Sequence, residues 1–215
     1  RDRAVIRPKT VADIKKAIAY ARKFKTSVIP RTAGTSLGGQ VVGSGIVVDV
    51  SKYFTQILEV NKEEKWVRVQ PGVVLDELNK HLEPFGLFFG PETSTSNRCM
   101  IGGMVGNNSC GSHSVIYGTT RDHTLELKVI LADGAETTFK ALTQNEFEEK
   151  KKAPTPEGGL TLENKIYLKI EEILKNKSNQ EEIKSQFPKP TIKRRNTGYA
   201  LDELLDTELF TDNPY

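Results

Sequence analysis

Two glycine-rich segments carry the residues of this sequence that are best suited to binding an anion or a heterocycle. The first runs from Arg31 to Gly45, reads R-T-A-G-T-S-L-G-G-Q-V-V-G-S-G and holds five glycines in fifteen positions. Glycine lets the backbone take positive φ angles and approach a ligand closely, because it has no Cβ. Successive backbone N–H groups in such turns form a concavity that binds anions, and the hydroxyls of Thr35 and Ser36 add donors. A pyrophosphate is the natural ligand for this segment.

The first segment differs from the two commonest phosphate-binding motifs. No Gly-Lys-Ser/Thr sequence ends it, so it is not a Walker loop. A strand rather than a helix is predicted to follow it, so it is not the Rossmann fingerprint. A flexible surface linker is the structural alternative. Predicted strands on both sides of the segment favour a binding site over a linker.

The second segment, Cys99 to Gly111, offers the polar groups that the edge of a heterocycle requires. Its sequence is C-M-I-G-G-M-V-G-N-N-S-C-G. Asn107, Asn108 and Ser109 carry amide and hydroxyl groups that both donate and accept hydrogen bonds. Apolar residues at 101, 104 and 105 would pack beneath them. The alternative is a tight turn in which the asparagines satisfy their own backbone.

Hydrophobic periodicity predicts the strands and helices that frame the two segments. Thr10 and Asp13 form an N-cap and capping-box pair, and apolar residues at helical spacing follow as far as Ala21. Four further elements are then expected before the second segment: two strands at Ser27–Pro30 and Ile46–Val50, a hairpin of Ile57–Val60 with Trp66–Val69, and a helix carrying Leu75, Leu78 and Leu82 that ends at Pro84 and Gly86.

Irregular structure is expected from Gly90 to Gly118, followed by a hairpin. Alternating apolar residues predict a strand from Thr124 to Ala132. Asp133-Gly134 is a favoured two-residue turn, so Ala135–Phe139 should return beside that strand. Beyond the hairpin we expect three stretches: an exposed loop at Lys150–Gly159, a helix over 162–175 and a polar stretch over 178–186.

Composition excludes several functional classes. With 37% hydrophobic and 27% charged residues the chain is typical of a soluble globular protein, and its net charge of +3 is too small to indicate a nucleic-acid partner. No apolar run approaches the roughly 20 residues that span a bilayer, and no secretory signal is visible. Cys99 and Cys110 fit no metal motif, so we expect free thiols in the cytoplasm or at the periphery of the inner membrane.

The order of the motifs resembles a known family. R-T-A-G-T-S-L-G-G-Q, V-Q-P-G, I-G-G-M-V-G-N-N-S-C-G, Y-G and L-A-D-G occur in the order found in the FAD-binding (PCMH-type) domain of the vanillyl-alcohol-oxidase superfamily. The chain is most similar to the group of FAD-linked oxidases that includes D-lactate dehydrogenase and glycolate oxidase. K-R-R-N-T-G-Y-A-L-D-E-L-L, residues 193–205, resembles the segment that follows in that group.

This resemblance implies an α+β fold of two α/β lobes, one around a small parallel sheet and one around a mostly antiparallel sheet, with FAD held between them. In the family the first segment wraps the pyrophosphate, which places these residues there: Arg31, Thr32, Ala33, Gly34, Thr35, Ser36, Leu37 and Gly38. The flavin and the ribityl chain would lie along a second group: Pro91, Thr95, Gly102, Gly103, Asn107, Asn108, Ser109, Gly111, Tyr117 and Gly118.

Two departures from the family pattern bear on the cofactor. Members with covalent flavin usually carry a histidine in the first segment, where this chain has Thr35 and Ser36. The resemblance therefore implies noncovalent FAD. Thr32 and Ala33 stand where many relatives have glycine, which tightens the segment without excluding phosphate.

The resemblance also implies an activity. We expect a flavin-dependent oxidoreductase that oxidises a D-2-hydroxy acid of the lactate, glycolate or 2-hydroxyglutarate class to the 2-oxo acid, by hydride transfer to flavin N5. One alternative is an enzyme of the UDP-N-acetylenolpyruvylglucosamine reductase type, which uses NADPH. Another is a noncatalytic nucleotide-binding module. The N-N-S-C-G and G-Y-A-L-D stretches favour the hydroxy-acid group.

The relatives continue into a substrate domain that carries the catalytic histidines and an arginine for the substrate carboxylate. We therefore expect 1–215 to be an FAD-binding domain that is incomplete at its C-terminal end. It would comprise a core at 1–140 with both FAD segments, a loop and helical insertion at 141–190, and at 191–215 the start of the segment leading to the substrate domain. The hydroxy acid would bind through that further domain, so the 215 residues alone are expected to be inactive.

The histidines and the one basic cluster fit structural roles. His81, His113 and His123 are expected to be surface or loop histidines rather than catalytic bases, with His113 the nearest of the three to the flavin. Lys193, Arg194 and Arg195 are expected to form a solvated patch or to contact the further domain. Stabilisation of the reduced flavin near N1 is the alternative for this cluster.

Overall fold

The computed structural model describes residues 4–154, 158–192 and 198–210. The chain splits into two compact units, Arg1–Thr124 (the N-terminal unit) and Leu125–Tyr215 (the C-terminal unit). Within the described ranges helices and strands are mixed, with one small parallel sheet and two antiparallel hairpins, which confirms the α+β class. The basic cluster at 193–195 lies outside the described residues.

A three-stranded parallel sheet opens the N-terminal unit. Its strands are β1 (Ala4–Ile6), β2 (Val28–Arg31) and β3 (Ile46–Asp49), in the order β1-β3-β2. Helix α1 (Val11–Lys23) begins at the predicted capping box, where Thr10 accepts from the Asp13 backbone and Asp13 accepts from Thr10. The helix buries a small face on the sheet, formed by Ala17, Ala21, Ile46 and Val48.

The main core of the N-terminal unit is built on a hairpin and two helices. Strands β4 (Ile57–Asn61) and β5 (Trp66–Val69) pair antiparallel, as predicted, and helix α2 (Leu75–Leu82) follows. A 3₁₀ turn at Glu83–Phe85 and a left-handed Gly86 (φ 71°) end that helix where the sequence indicated. The core residues are buried together: Val73, Leu75, Leu78, Leu82, Cys99, Ile101 and Met104.

The expectation of irregular structure from Gly90 to Gly118 is wrong in two places. Helix α3 spans Ile101–Asn107 and a single turn, α4, spans Ser114–Tyr117. Helix α3 forms although three of its seven residues are glycine, because Ile101 and Met104 bury one face in the core. The second glycine-rich segment is therefore largely a helix rather than a loop.

The C-terminal unit begins with the predicted hairpin, whose turn is longer than expected. Strands β6 (Glu126–Ile130) and β7 (Glu136–Lys140) pair antiparallel. The Leu131 N–H donates to the Ala135 carbonyl, and the Gly134 N–H donates to the Leu131 carbonyl. The loop therefore has three residues with Gly134 left-handed (φ 88°), and the two-residue turn is incorrect because Ala132 also belongs to it.

In the described part of the C-terminal unit, four helices follow the hairpin. Their bounds are α5 at Gln144–Lys150, α6 at Leu162–Lys175, α7 at Lys177–Gln186 and α8 at Leu201–Leu205. Only α6 was predicted, with the same bounds. Leu174, Ile183 and Leu205 form the centre of a hydrophobic cluster among these helices. None of the helices in the described ranges is long and apolar enough to cross a membrane.

Candidate functional site

The first glycine-rich segment leaves the carboxyl end of β2, beside β3. Arg31, its first residue, pairs with Asp49 in the sheet, and its carbonyl accepts from the Val50 N–H. Ligands of parallel sheets bind at the carboxyl ends of strands. Gly34 (φ 70°) and Gly39 (φ 80°) take the left-handed conformation that favours glycine.

The guanidinium of Arg31 lies against the backbone of Gly34. A Cβ placed on Gly34 would lie 2.8 Å from Arg31 Nη2 and 2.9 Å from Nε. The Nε atom is buried and has no hydrogen-bond acceptor among the residues that the structure describes. A buried charged donor without an acceptor is unfavourable, and an anion at this place would satisfy it. The segment therefore fits a phosphate group, as its glycines and hydroxyls predicted.

Other side chains of the first segment differ in whether they are free to bind a ligand. Ser36 Oγ donates to Gln40 Oε1 at 2.5 Å, so this hydroxyl is engaged within the segment itself. The Gln40 side chain also covers Gly38, where a Cβ would meet Oε1 at 2.9 Å. Leu37 is fully exposed. Thr32, Ala33 and Thr35 are half-buried.

The two glycine-rich segments meet directly in the N-terminal unit. A Cβ on Gly103 would lie 2.6 Å from Thr32 Oγ1, and a Cβ on Gly102 would lie 2.5 Å from the Cβ of Pro71. The first N–H groups of α3 are capped by distant carbonyls, because Ile101 donates to Val73 and Gly102 donates to Pro71. The start of α3 is thus fixed between V-Q-P-G and the first segment.

Asn108 ends α3, and its side chain binds a distant backbone group rather than its own backbone. It takes the left-handed conformation (φ 44°), and its Oδ1 accepts from the Arg121 N–H at 2.9 Å. The carbonyl of Ser109 accepts from both the N–H and the hydroxyl of Thr120. Asn107 is exposed and donates to Ser109 Oγ at 3.3 Å. Of the two asparagines, Asn107 therefore has the freer side chain.

Segments 90–95 and 111–118 pack on each other through Glu92. Its Oε1 accepts from Ser112 Oγ at 2.9 Å and faces His113 Nδ1 at 2.8 Å, and its carbonyl closely approaches Gly111. Sequence analysis gave no role to Glu92. Its position beside Pro91, which was predicted to lie along the flavin, was the signal that could have identified it. The His113 ring thus contacts a carboxylate oxygen, and Pro91 is fully buried.

The end of this region is held by Tyr117 and Gly118. A Cβ on Gly90 would lie 2.9 Å from the Tyr117 Cβ, and the Tyr117 carbonyl contacts His123 Nε2 at 2.6 Å. Gly118 has φ 75° and lies against the Asp122 carboxylate. Ser114, within segment 111–118, has a buried Oγ with no partner among the described residues. Sequence analysis gave no role to Ser114.

The remaining candidate residues either contact other protein groups or are exposed to solvent. Thr95 Oγ1 lies 3.0 Å from Thr93 Oγ1, which donates to the Cys99 sulfur at 3.3 Å. Both cysteines are free, with Cys99 buried and Cys110 half-buried. His81 is exposed on α2. No group of metal-ligating side chains occurs within the described ranges.

Comparison with known proteins decides the family. A family model for the FAD binding domain matches residues 3–140. The chain belongs to this family of FAD-binding domains. The match confirms the resemblance drawn from the motifs, and it includes both glycine-rich segments. The cofactor of this FAD-binding domain is accordingly FAD.

Relatives and solved structures agree with this assignment. The chain is 38% identical over 211 residues to D-2-hydroxyglutarate dehydrogenase of Pantoea ananatis, covering 97% of the chain and 20% of that protein. It is 35% identical over 138 residues to mitochondrial D-lactate dehydrogenase (cytochrome) of Kluyveromyces lactis, covering 62% of the chain and 24% of that protein. The fold is similar to that of 6-hydroxy-D-nicotine oxidase from Arthrobacter nicotinovorans (TM-score 0.57, 22% identity, 65% of this chain and 30% of that one).

Proposed function

We propose that this FAD-binding domain serves an oxidoreductase that converts a D-2-hydroxy acid to the 2-oxo acid, with D-2-hydroxyglutarate as the first substrate to test. The chain spans about a fifth of the D-2-hydroxyglutarate dehydrogenases that it matches. The substrate is inferred from those relatives, which are 36% to 40% identical over at least 198 residues. When bound, FAD supplies the acceptor for the hydride that leaves C2 of the hydroxy acid.

The observation that carries the cofactor half of the proposal is the buried Arg31 Nε beneath Gly34. We assign the diphosphate of FAD to this place, where backbone N–H groups of 31–38 and the guanidinium would bind it. Charge-assisted hydrogen bonds from arginine to phosphate are among the strongest in proteins. The first segment therefore binds and orients the cofactor rather than reacting.

The second group of residues would hold the flavin and the ribityl chain. Pro91 and Thr95 belong to one segment, and Gly111, Tyr117 and Gly118 belong to the segment that Glu92 joins to it. Asn107 would donate to the cofactor, whereas Asn108 positions the backbone at Arg121. We propose that FAD is held without a covalent bond, because residues 31–45 contain no histidine.

The test uses the full-length protein loaded with FAD and kept anaerobic. D-2-hydroxyglutarate, D-lactate and glycolate are added separately, with L-2-hydroxyglutarate as the matched control, and bleaching of the flavin absorption band is followed. Rapid bleaching by a D-2-hydroxy acid and slow bleaching by the L-enantiomer are expected. Reduction by NADPH alone would indicate the UDP-N-acetylenolpyruvylglucosamine reductase type. FAD binding without reduction by any of these would indicate a noncatalytic module.

We propose the cytoplasm or the periphery of the inner membrane as the compartment. Cys99 and Cys110 are both free, and a reducing compartment keeps thiols in that state. Fractionation of cells that produce the full-length protein tests this proposal. A location at the inner membrane surface would appear as protein that sediments with membranes and is released by salt.

A further inference from the structure

Helix α1 carries a concentration of positive charge that the whole chain does not share. Between Arg7 and Lys25 the sequence has seven Lys or Arg residues and one acid, whereas the net charge of all 215 residues is only +3. The one acid, Asp13, is engaged at the capping box, where it accepts from Lys9 N, Thr10 N and Thr10 Oγ1. Asp13 is thus the one acid among the seven positive charges of this stretch.

The two faces of α1 differ sharply. The inner face packs on the sheet through Ala17 and Ala21, which are 8% and 3% exposed. Lys16 and Lys23, on the outer face, are exposed, as are Arg22 and the neighbouring Lys25. The helix is held in place by its apolar side, so its basic side is presented as a rigid surface.

Two aromatic rings lie on the same helix among these charges. Tyr20 and Phe24 are one turn apart and 56% and 51% exposed, with ring centroids 4.4 Å apart. Lys23 Nζ lies 5.5 Å from the centre of the Phe24 ring. Rings that are half in water contribute less to the fold than buried rings do.

A third exposed ring near the start of α1 has the same arrangement. Tyr53 is 39% exposed, and both Lys9 Nζ and Lys52 Nζ lie over its ring, at 5.5 and 5.3 Å from the centre. Exposed aromatic rings beside lysine ammonium groups fit a lipid interface. The rings lie at headgroup level there, and the lysines extend to the phosphates.

We propose that the outer face of α1, with Lys16, Lys23, Tyr20 and Phe24 at its centre, docks on an anionic lipid surface. Anionic headgroups complement the charge, and each lysine near such a surface strengthens binding about fivefold. The aromatic pair adds apolar area that enters the headgroup region. The helix would lie in the plane of the interface.

A nucleic acid is the less favoured partner for this face. Tyr20 and Phe24 contact each other at 4.4 Å, so their facing sides leave no gap into which a base could stack. The basic residues also come from one short stretch rather than from a groove that tracks a phosphate backbone. An acidic protein would match the charge but gives no reason for the exposed rings.

The experiment measures sedimentation of the full-length FAD-loaded protein with lipid vesicles. Vesicles of phosphatidylcholine are compared with vesicles that contain about one third phosphatidylglycerol, at about 0.1 M salt, where charges are screened beyond about 10 Å. Binding is expected only with phosphatidylglycerol. The Lys16→Glu/Lys23→Glu variant should lose at least tenfold in affinity. Its matched control is Lys62→Glu/Lys80→Glu, which changes the net charge equally at exposed sites away from α1 and should bind like the parent.

A second variant tests the rings independently of charge. Tyr20→Ser/Phe24→Ser should weaken binding to phosphatidylglycerol vesicles at least threefold, while flavin content and circular dichroism stay unchanged. Equal losses in the two charge variants would overturn the proposal, because they would show only a net-charge effect. Absence of vesicle binding would overturn it as well. Tighter binding to duplex DNA than to the vesicles would assign the face to nucleic acid instead.

Discussion

Gly103 faces Thr32 so closely that a Cβ on the glycine would lie 2.6 Å from the threonine hydroxyl. This contact joins helix α3 to the first glycine-rich segment, and both belong to the region that the FAD family model matches. Real Cβ atoms do not approach an oxygen so closely, so any side chain at 103 must move Thr32. The absence of a side chain at one helix position thus sets the spacing of two proposed cofactor segments.

Gly103→Ala should therefore weaken FAD binding while Gly106→Ala should not. Alanine at either position favours the helix by about 0.5–1 kcal/mol over glycine. At Gly106 nothing lies within 4 Å of the added Cβ, so stability should rise and FAD affinity should stay constant. At Gly103 the shift of Thr32 should lower FAD affinity about fivefold, or roughly 1 kcal/mol. Fluorescence titration of the apoprotein with FAD measures both.

The double variant Thr32→Ala/Gly103→Ala provides the control. Removing the threonine hydroxyl relieves the clash, so affinity should recover toward that of Thr32→Ala alone. If Gly103→Ala binds FAD like the parent, the spacing of the two segments does not limit cofactor binding.

Gly34→Val should lower FAD affinity at least tenfold, about 1.4 kcal/mol, with the fold retained. Its Cβ would displace the Arg31 guanidinium, and valine at φ 70° is also strained. Gly39→Val is the matched control, because φ is 80° there but nothing lies within 4 Å of the added Cβ.

The difference in FAD affinity between these two variants separates the effect of the close approach to Arg31 from the effect of backbone strain. Similar losses in both would attribute the effect to strain alone. An unchanged FAD affinity in Gly34→Val would place the phosphate elsewhere.

Elements with signals inside their own sequence were predicted well. Thr10 with Asp13 marks the start of α1, and a helical repeat of apolar residues gives the bounds of α6. The same capping signal, Thr143 with Glu146, was present before α5 but was not used, and Asn176 caps α7. Local hydrogen bonds are readable from sequence because both partners lie within four residues.

Elements that depend on distant partners were missed. Helix α3 starts without a side-chain cap, and its first N–H groups are satisfied by Val73 and Pro71, about thirty residues earlier. Its three glycines indicated a loop, and burial of Ile101 and Met104 against the core adds to the stability of the helix. The pair of Glu92 with His113 is likewise a contact between separate segments. In such contacts, the position of one residue in the sequence does not indicate which distant residue it will meet.

All flavin should be released when the FAD-loaded full-length protein is denatured by acid. The proposal of noncovalent FAD rests on residues 31–45, which contain no histidine to form the bond. The measurement is flavin absorbance in the supernatant and fluorescence of the polypeptide on a denaturing gel. Fluorescence that migrates with the polypeptide would contradict the prediction.

The C-terminal unit should lose stability in acid through Glu171. Lys151 Nζ and Lys175 Nζ lie 2.8 and 2.6 Å from its Oε1, and their hydrogen bonds hold the pKa of the Glu171 carboxyl below its ordinary value of 4.5. A carboxyl whose pKa is lowered by folding contributes stability that is present above its ordinary value. That contribution is lost as the pH falls through the lowered value. Thermal unfolding of the 215-residue chain between neutral pH and about pH 3 should show a decline that begins below 4.5.

Glu171→Gln and Glu172→Gln separate this ion pair from general acid unfolding. Glu171 is 14% exposed and bridges two lysines, so its replacement should cost about 1 kcal/mol at neutral pH. Glu172 is 68% exposed and pairs with Lys169, so its replacement should change stability by about a few tenths of a kcal/mol at most. The deficit of Glu171→Gln should shrink in acid, because the parent then also carries a neutral side chain at this position. A deficit that persists below the lowered pKa would show that the glutamine disturbs packing around Lys151, and that the charge of Glu171 is not what stabilises the unit.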